Sequence, residues 1–363
     1  MKAAVLNSIP GQLDIEDVDI GEPGPREVVI RTVAAGLCHS DLHFMEGKYP
    51  FPCPAVLGHE SAGVVEAVGS MVHYVAPGDH VITCLSAFCG HCSQCTDGHL
   101  SLCENKGTEL VRQPGEPSRL SRRGGETVNQ YLHLSSFAEQ MLVHEQALVK
   151  IDRDMPLDRA ALIGCAVTTG LGAVFRTARV APGETVVVIG CGGIGLSAVQ
   201  GARIAGANKI IAVDMASSKL ELAQQMGATH VVNASSDDPV AAVKDLTGGG
   251  VHHSFEAVGL KQTAEQAYQM LRNGGQATVI GMIPVGTMIE IHGPELIYEK
   301  TLTGSNMGSN QFRTDMPRYV DMYLDGRLQL DEMVSKTITL DEINDGFADM
   351  KSGNVARSVI TFD

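Results

Sequence analysis

The stretch from Val186 to Asp214 constrains this chain more than any other. Residues 186–190 read VVVIG, a continuous apolar run of the kind found in strands buried on both faces. Gly190, Gly192 and Gly195 then spell G-C-G-G-I-G and open a helical pattern, IGLSAVQGARIAG, at 194–206. The next strand pattern is KIIAVD at 209–214. Strand, helix and strand in this order form a parallel βαβ unit. A lone G-x-G-x-x-G is a weak signal, but one that follows a strand and starts a helix is in the context a dinucleotide site requires. The glycines let the backbone turn tightly and approach a pyrophosphate, while the helix N-terminus, with Gly193 and Ile194 in its first turn, faces the phosphate charge. Asp214 ends the second strand. A carboxylate there accepts hydrogen bonds from both ribose hydroxyls and repels a 2′-phosphate. No Lys or Arg stands among residues 215–218, so the pattern favours NAD over NADP, and Lys219 suits a ribose contact.

The same alternation runs over residues 167–306: a helix at SKLELAQQMGA, a strand at HVVNAS, a strand at HHSFEAVG, a helix at TAEQAYQMLRNGG and a strand at QATVIGMIP. Residues 1–166 have another texture, with short β-type runs broken by Gly and Pro, among them 27–36, 61–69 and 78–84. The tail, 307–363, carries helical patterns near 315–325 and 340–352 and a strand at VARSVITF. It is too short to fold alone and is expected to pack on the first region. Residues 106–136 form a long polar excursion, and loops of that length inside compact domains are usually functional or mobile.

With 363 residues, about two domains are expected. The 27 Lys+Arg against 42 Asp+Glu leave a net charge of −15, which opposes a nucleic-acid partner or an anionic membrane surface. No signal-peptide pattern and no run of about 18 apolar residues is found, so the expectation is a cytoplasmic protein without a membrane span. The nine cysteines are then reduced thiols, ligands or nucleophiles.

Cys89, Cys92, Cys95 and Cys103 form C-x2-C-x2-C-x7-C. Four thiolates on one polar loop can enclose a tetrahedral Zn²⁺ and leave no open position, which makes a structural site. An iron–sulfur cluster is the competing reading of that spacing. His91 and His99 inside the loop read as bystanders. A second set is Cys38, His59 and Cys165: two thiolates and an imidazole give three ligands and leave a fourth position for water or substrate. Polar neighbours support it, with Ser40, Asp41 and His43 beside Cys38 and Glu60 beside His59. Cys53, Cys84 and Cys191 lack such company and read as small buried hydrophobes.

Over essentially its whole length the chain resembles the zinc-dependent medium-chain alcohol dehydrogenases, the liver-type and glutathione-dependent formaldehyde dehydrogenase branch in particular. The resemblance rests on G-H-E at 58–60, the four-cysteine lobe, the glycine fingerprint with its acid, and the closing R-S-V-I-T-F. It implies an α/β fold in which a GroES-like, β-rich catalytic domain (1–166 and 307–363, zinc lobe about 86–136) is interrupted by a Rossmann domain with a doubly wound parallel sheet (167–306). Two Zn²⁺ and NAD are implied as cofactors, with the catalytic zinc on Cys38, His59 and Cys165.

The resemblance also implies roles. Glu60 is an acid able to approach the metal, Asp41 stands behind His59, and Ser40 and His43 form a proton relay. Thr169 meets the nicotinamide end, His39 and Arg357 the pyrophosphate, and Lys219 the adenosine ribose. The implied substrate is a small alcohol or aldehyde. Leu85, where relatives place an aromatic, favours bulky or aromatic alcohols, and Met282 and Met307 are candidates to line the cleft. Two other activities stay open: a thiol-dependent formaldehyde dehydrogenase, whose acidic adduct could meet Arg112, Arg119, Arg122 or Arg123, and a nicotinoprotein that holds its NAD permanently. A zinc-ribbon binding protein without catalysis is opposed by the acidic charge and the second ligand set. A homodimer is implied, with a tetramer as the alternative, pairing through strands at 288–291 and 301–305.

Overall fold

The computed structural model describes residues 1–353 and 357–362. The chain divides into two compact units, Met1–Cys165 with Gln311–Asp363, and Ala166–Asn310.

The first unit is β-rich. Strand Glu27–Gly36 lies at its centre, paired antiparallel with Glu60–Val68, Gln140–His144 and Ser358–Thr361. Its sequence EVVIRTVAAG is buried almost throughout, since sheet partners flank both edges and core side chains cover both faces. Gly63 lets the Glu60–Val68 strand press close: a Cβ there would sit 2.2 Å from the Arg31 carbonyl oxygen. Ile338, Phe347 and Ile360 from the tail share one apolar cluster with Leu6, Leu37 and Phe137. Of the closing strand pattern, Val355 and Ala356 lie outside the described residues.

The second unit holds a parallel sheet, six-stranded among the described residues. Its spatial order is His230–Asn233, Lys209–Asp214, Thr185–Ile189, Val251–Glu256, Leu271–Val279 and Thr301–Gly304. The chain starts in the middle and winds outward in both directions. The switch point therefore falls at the carboxyl end of Thr185–Ile189, where open α/β sheets bind ligands.

Three local readings differ. The helix expected over 263–275 stops at Gln269, and the strand Leu271–Val279 takes Leu-Arg-Asn-Gly-Gly into its irregular first half. A helix at Pro239–Thr247, capped by the Asp238 carboxylate, is not singled out by the sequence pattern. Residues 288–291 form no strand and leave Met288 exposed, so of the two implied pairing strands only Thr301–Gly304 is present. In addition, and against the expectation of no such run, the helical run Leu157–Ala178 has 22 residues and enough apolar character to cross a membrane; 83% of its most apolar stretch is buried inside the protein, as in a core helix.

Candidate metal centres and dinucleotide site

Cys38 stands at the start of the short helix His39–Met45, His59 directly precedes the strand Glu60–Val68, and Cys165 lies in the π-helical turn Ile163–Val167. Local wide turns of this type recur at functional sites because they re-aim a side chain within a helix. The ligand atoms of Cys38, His59 and Cys165 all lie within 4.8 Å of one another, and the three residues are buried. Gly58 has a φ of +91°, and a Cβ there would meet Ser136 Oγ at 2.6 Å and the Phe137 nitrogen at 2.7 Å, so the approach to His59 admits only glycine.

Asp41, fully buried, organises this cluster. Its Oδ1 lies 3.0 Å from His59 Nδ1 and accepts the Gly58 N–H at 3.2 Å, while Oδ2 accepts the Cys38 N–H at 3.3 Å. With Nδ1 turned to a carboxylate, Nε2 is left to bind a metal. Contact with Cys165, against the effect of burial and helped by Arg357 and His59, holds the Cys38 thiol well below its ordinary pKa. Contact with Cys38 and burial push Cys165 up. Two buried soft sulfurs beside a carboxylate-backed imidazole are a donor set suited to a divalent cation, which takes both as thiolates.

Ser40 Oγ lies 3.6 Å from Cys38 Sγ. His43, on the same helix, is half-buried, and its Nδ1 has no hydrogen-bond partner among the described residues. Burial, then Lys48, lowers its pKa, so the ring is neutral near pH 7. Glu60 is buried, 3.7 Å from the guanidinium of Arg357, which also donates to the Leu37 carbonyl at 2.9 Å. Arg357 is itself only 3% exposed, so the structure places it inside the first unit, against Glu60. His39, the neighbour of Cys38, is exposed.

The four-cysteine group is a separate centre. Cys89 and Cys95 have their sulfurs 3.9 Å apart, and Cys92 and Cys103 4.0 Å. Zinc–sulfur bonds of ~2.3 Å at tetrahedral angles set sulfurs about 3.8 Å apart, whereas a disulfide needs ~2.05 Å. The four residues therefore fit a closed tetrahedral site. His91 pairs with Glu109 at 2.7 Å on the surface. Cys84 and Cys191 are buried, and Cys53 is half-buried.

In the second unit the fingerprint joins the strand Thr185–Ile189 to the helix Gly193–Ile204. Each glycine has its own reason. Gly190 has a φ of +92°; a Cβ on Gly195 would sit 1.7 Å from the Gly190 carbonyl oxygen; at Gly192 a Cβ would meet nothing within 4 Å. Gly192 caps the helix, with the amides of Gly193 and Ile194 in its first turn, an arrangement suited to an anionic group. Asp214 accepts from the Cys191 N–H at 2.8 Å and the Ala216 N–H at 3.0 Å, which fixes the carboxylate beside the turn; Lys219 follows, partly buried, on the next helix. Thr169 donates to Met307 Sδ at 3.3 Å, and Met282 is partly buried.

Glu256 is a residue that motif reading misses. Buried at the end of its strand, it accepts from the Val258 and Gly259 N–H groups and from the Thr263 hydroxyl, and so shapes the loop that Gly190 touches through Val258. The only cue in sequence is an acid before A-V-G after an apolar strand.

The arginines of the long excursion are largely committed elsewhere. Arg112 and Arg119 both bind Glu27 at 2.6 Å, and Arg122 binds Glu16 at 2.8 Å. Arg123 is exposed. Leu85 is partly buried against the apolar cluster that contains Val28 and Leu148.

Two family models match the chain: an alcohol dehydrogenase GroES-like domain over residues 24–153 and a zinc-binding dehydrogenase over 193–324. The chain is 38% identical to an alcohol dehydrogenase class-3 of Cereibacter sphaeroides, covering 99% of each. It is also 38% identical to an NDMA-dependent alcohol dehydrogenase of Amycolatopsis methanolica, covering 99% of this chain and 98% of that one. Among solved structures, a benzyl alcohol dehydrogenase from Acinetobacter calcoaceticus superposes with a TM-score of 0.94 at 35% identity, covering 100% of this chain and 99% of that one.

Proposed function

Because the chain belongs to the zinc-dependent alcohol dehydrogenase family, we propose that it oxidises a primary alcohol to the aldehyde, reversibly, with NAD as the hydride acceptor. The observation that carries this reading is the buried Cys38–His59–Cys165 set, with Asp41 behind His59, in a chain whose closed four-sulfur site is separate.

When bound, zinc polarises the alcohol oxygen and the dinucleotide accepts the hydride. The chain's own part is to hold both and to manage the proton. Ser40 stands beside Cys38, where it can take the hydroxyl proton, and the neutral ring of His43 can pass that proton toward solvent. Asp41 keeps His59 in one tautomer. Glu60 and Arg357 set a buried charge pair beside the sulfur ligands, so an acid is at hand without a net charge being added. Asp214 supports NAD over NADP. Leu85, in place of an aromatic, supports bulky or aromatic alcohols.

The commitment of Arg112, Arg119 and Arg122 to glutamates supports free alcohols over an acidic thiol adduct. We further place the enzyme in the cytoplasm as a homodimer. Thr301–Gly304 is a sheet edge, and Val285, Met288 and Ile297 are 72%, 75% and 78% exposed in the segment before it. Exposed apolar side chains in the segment leading to an open strand suit a second copy of the chain.

The test is NADH formation on a panel of alcohols, with parallel arms containing formaldehyde plus glutathione, and an artificial electron acceptor. Turnover of free alcohols, rising with ring or chain size, is expected. Turnover confined to the thiol adduct would overturn the substrate reading, and turnover confined to the artificial acceptor would overturn free exchange of NAD.

A further inference from the structure

We propose that the four-cysteine lobe is the seat onto which the chain locks as it returns to the first unit, so that metal held by Cys89, Cys92, Cys95 and Cys103 orders the start of the helix Phe312–Leu324.

The return begins at Gln311, and three consecutive residues grip the lobe or the neighbouring Tyr74 and Glu145–Leu148 segment. The Gln311 side-chain amide donates to the Gly98 carbonyl at 3.2 Å. Gly98 lies between the third and fourth cysteines with a φ of +86°, and a Cβ there would stand 3.1 Å from that same amide nitrogen. Phe312 is fully buried and meets the ring of Phe88 edge to face at 5.7 Å. Phe88 directly precedes Cys89. Arg313 lies 4.1 Å over the Tyr74 ring and 5.5 Å from the Phe88 ring, and it donates to the carbonyls of Leu148 at 3.1 Å and Glu145 at 2.6 Å. The first helical turn is closed by the buried Asp315 carboxylate, which accepts the Gln311 N–H at 2.8 Å.

The two lobe residues in this clamp, Phe88 and Gly98, therefore flank three of the four sulfurs. Between them the lobe has little regular structure, chiefly the four-residue helix Ser93–Thr96, and just beyond Gly98 comes the three-residue turn Leu100–Leu102, whose Leu102 points to solvent. A loop with so small a core depends on its metal for a fixed shape. Without that shape Phe88 and Gly98 have no fixed position, and Gln311 and Phe312 lose their seat. The coupling must run both ways, because a segment that grips the metal-bound lobe raises the lobe's affinity for metal.

The test uses the full chain in a series of zinc-buffered solutions, read by hydrogen exchange and mass spectrometry. Peptides covering 311–316 are expected to gain protection at the same free zinc as peptides covering 88–104. In Gln311→Ala and Arg313→Gln the free zinc that half-protects 88–104 is expected to rise by about fivefold or more, the lower end of usual coupling strengths. Protection of 311–316 that ignores zinc, or that follows the peptides around Cys38 and Cys165 instead, would overturn the proposal. So would an unmoved half-protection point in both variants, whose cysteines are all intact.

Discussion

One carboxylate, Asp41, fixes the positions of two metal ligands: it faces His59 Nδ1 at 3.0 Å and accepts the backbone N–H of Cys38 at 3.3 Å. Replacement by Asn leaves a neutral amide that holds His59 less firmly and makes it a weaker base. Asp41→Asn is expected to weaken zinc binding at the Cys38 site by about 10–100-fold and to leave the lobe zinc in place. Zinc content after dialysis against a graded chelator series checks this; equal retention of both ions by the variant contradicts it.

The Asp214 carboxylate accepts from the N–H groups of Cys191 and Ala216, and the proposed reading gives it the adenosine ribose as well. Asp214→Gly removes the charge that would repel a 2′-phosphate. The ratio of kcat/KM for NAD to that for NADP is expected to fall by about tenfold or more, each tenfold being ~1.4 kcal/mol. Some loss of thermal stability should accompany it, because two amides lose their acceptor. An unchanged cofactor ratio would leave Asp214 with the turn alone.

Glu27 anchors the long excursion to the central strand. Burial opposes its ionisation, but hydrogen bonds and charge from Arg112 and Arg119 hold its pKa down to about 2. A carboxyl lowered in the folded chain stabilises fully above its unfolded pKa, about 4.5, and loses that contribution as pH falls toward 2. The contribution at neutral pH is about 2 kcal/mol, allowing for solvent that reaches the outer arginine. Glu27→Gln is therefore expected to lower stability at pH 7 and to flatten its decline between pH 4.5 and 2. Urea unfolding across that range reads both effects, and a parallel acid limb in the variant contradicts the pairing.

The sequence made the parallel sheet legible because its strands are buried on both faces and read as apolar runs: KIIAVD at 209–214 is the strand the structure shows. It failed where the backbone serves two purposes. In LRNGG, composition suggests a helix end, while pairing with Val251 recruits Leu271 to a strand. Cys38, His59 and Cys165 stood out through polar company, yet their convergence depends on features no spacing reveals: the positive φ of Gly58 and the π turn that carries Cys165. The arginines of 112–122 looked available for a ligand, and only the fold shows glutamates from distant strands already holding them. Arg357 was legible as a late arginine, whereas its pairing with Glu60, about 300 residues earlier, could not be read without tertiary structure.

Cys38, His59 and Cys165 are proposed to hold the metal at which an alcohol is oxidised. The most direct measurement is zinc content together with alcohol-dependent NADH formation in the wild type, Cys165→Ser and Cys95→Ser. About two zincs per chain and ready turnover are predicted for the wild type. Cys165→Ser should keep its folded circular dichroism and lose turnover, while Cys95→Ser should lose thermal stability, since a closed zinc site contributes folding energy. Turnover retained by a folded Cys165→Ser chain would contradict the account.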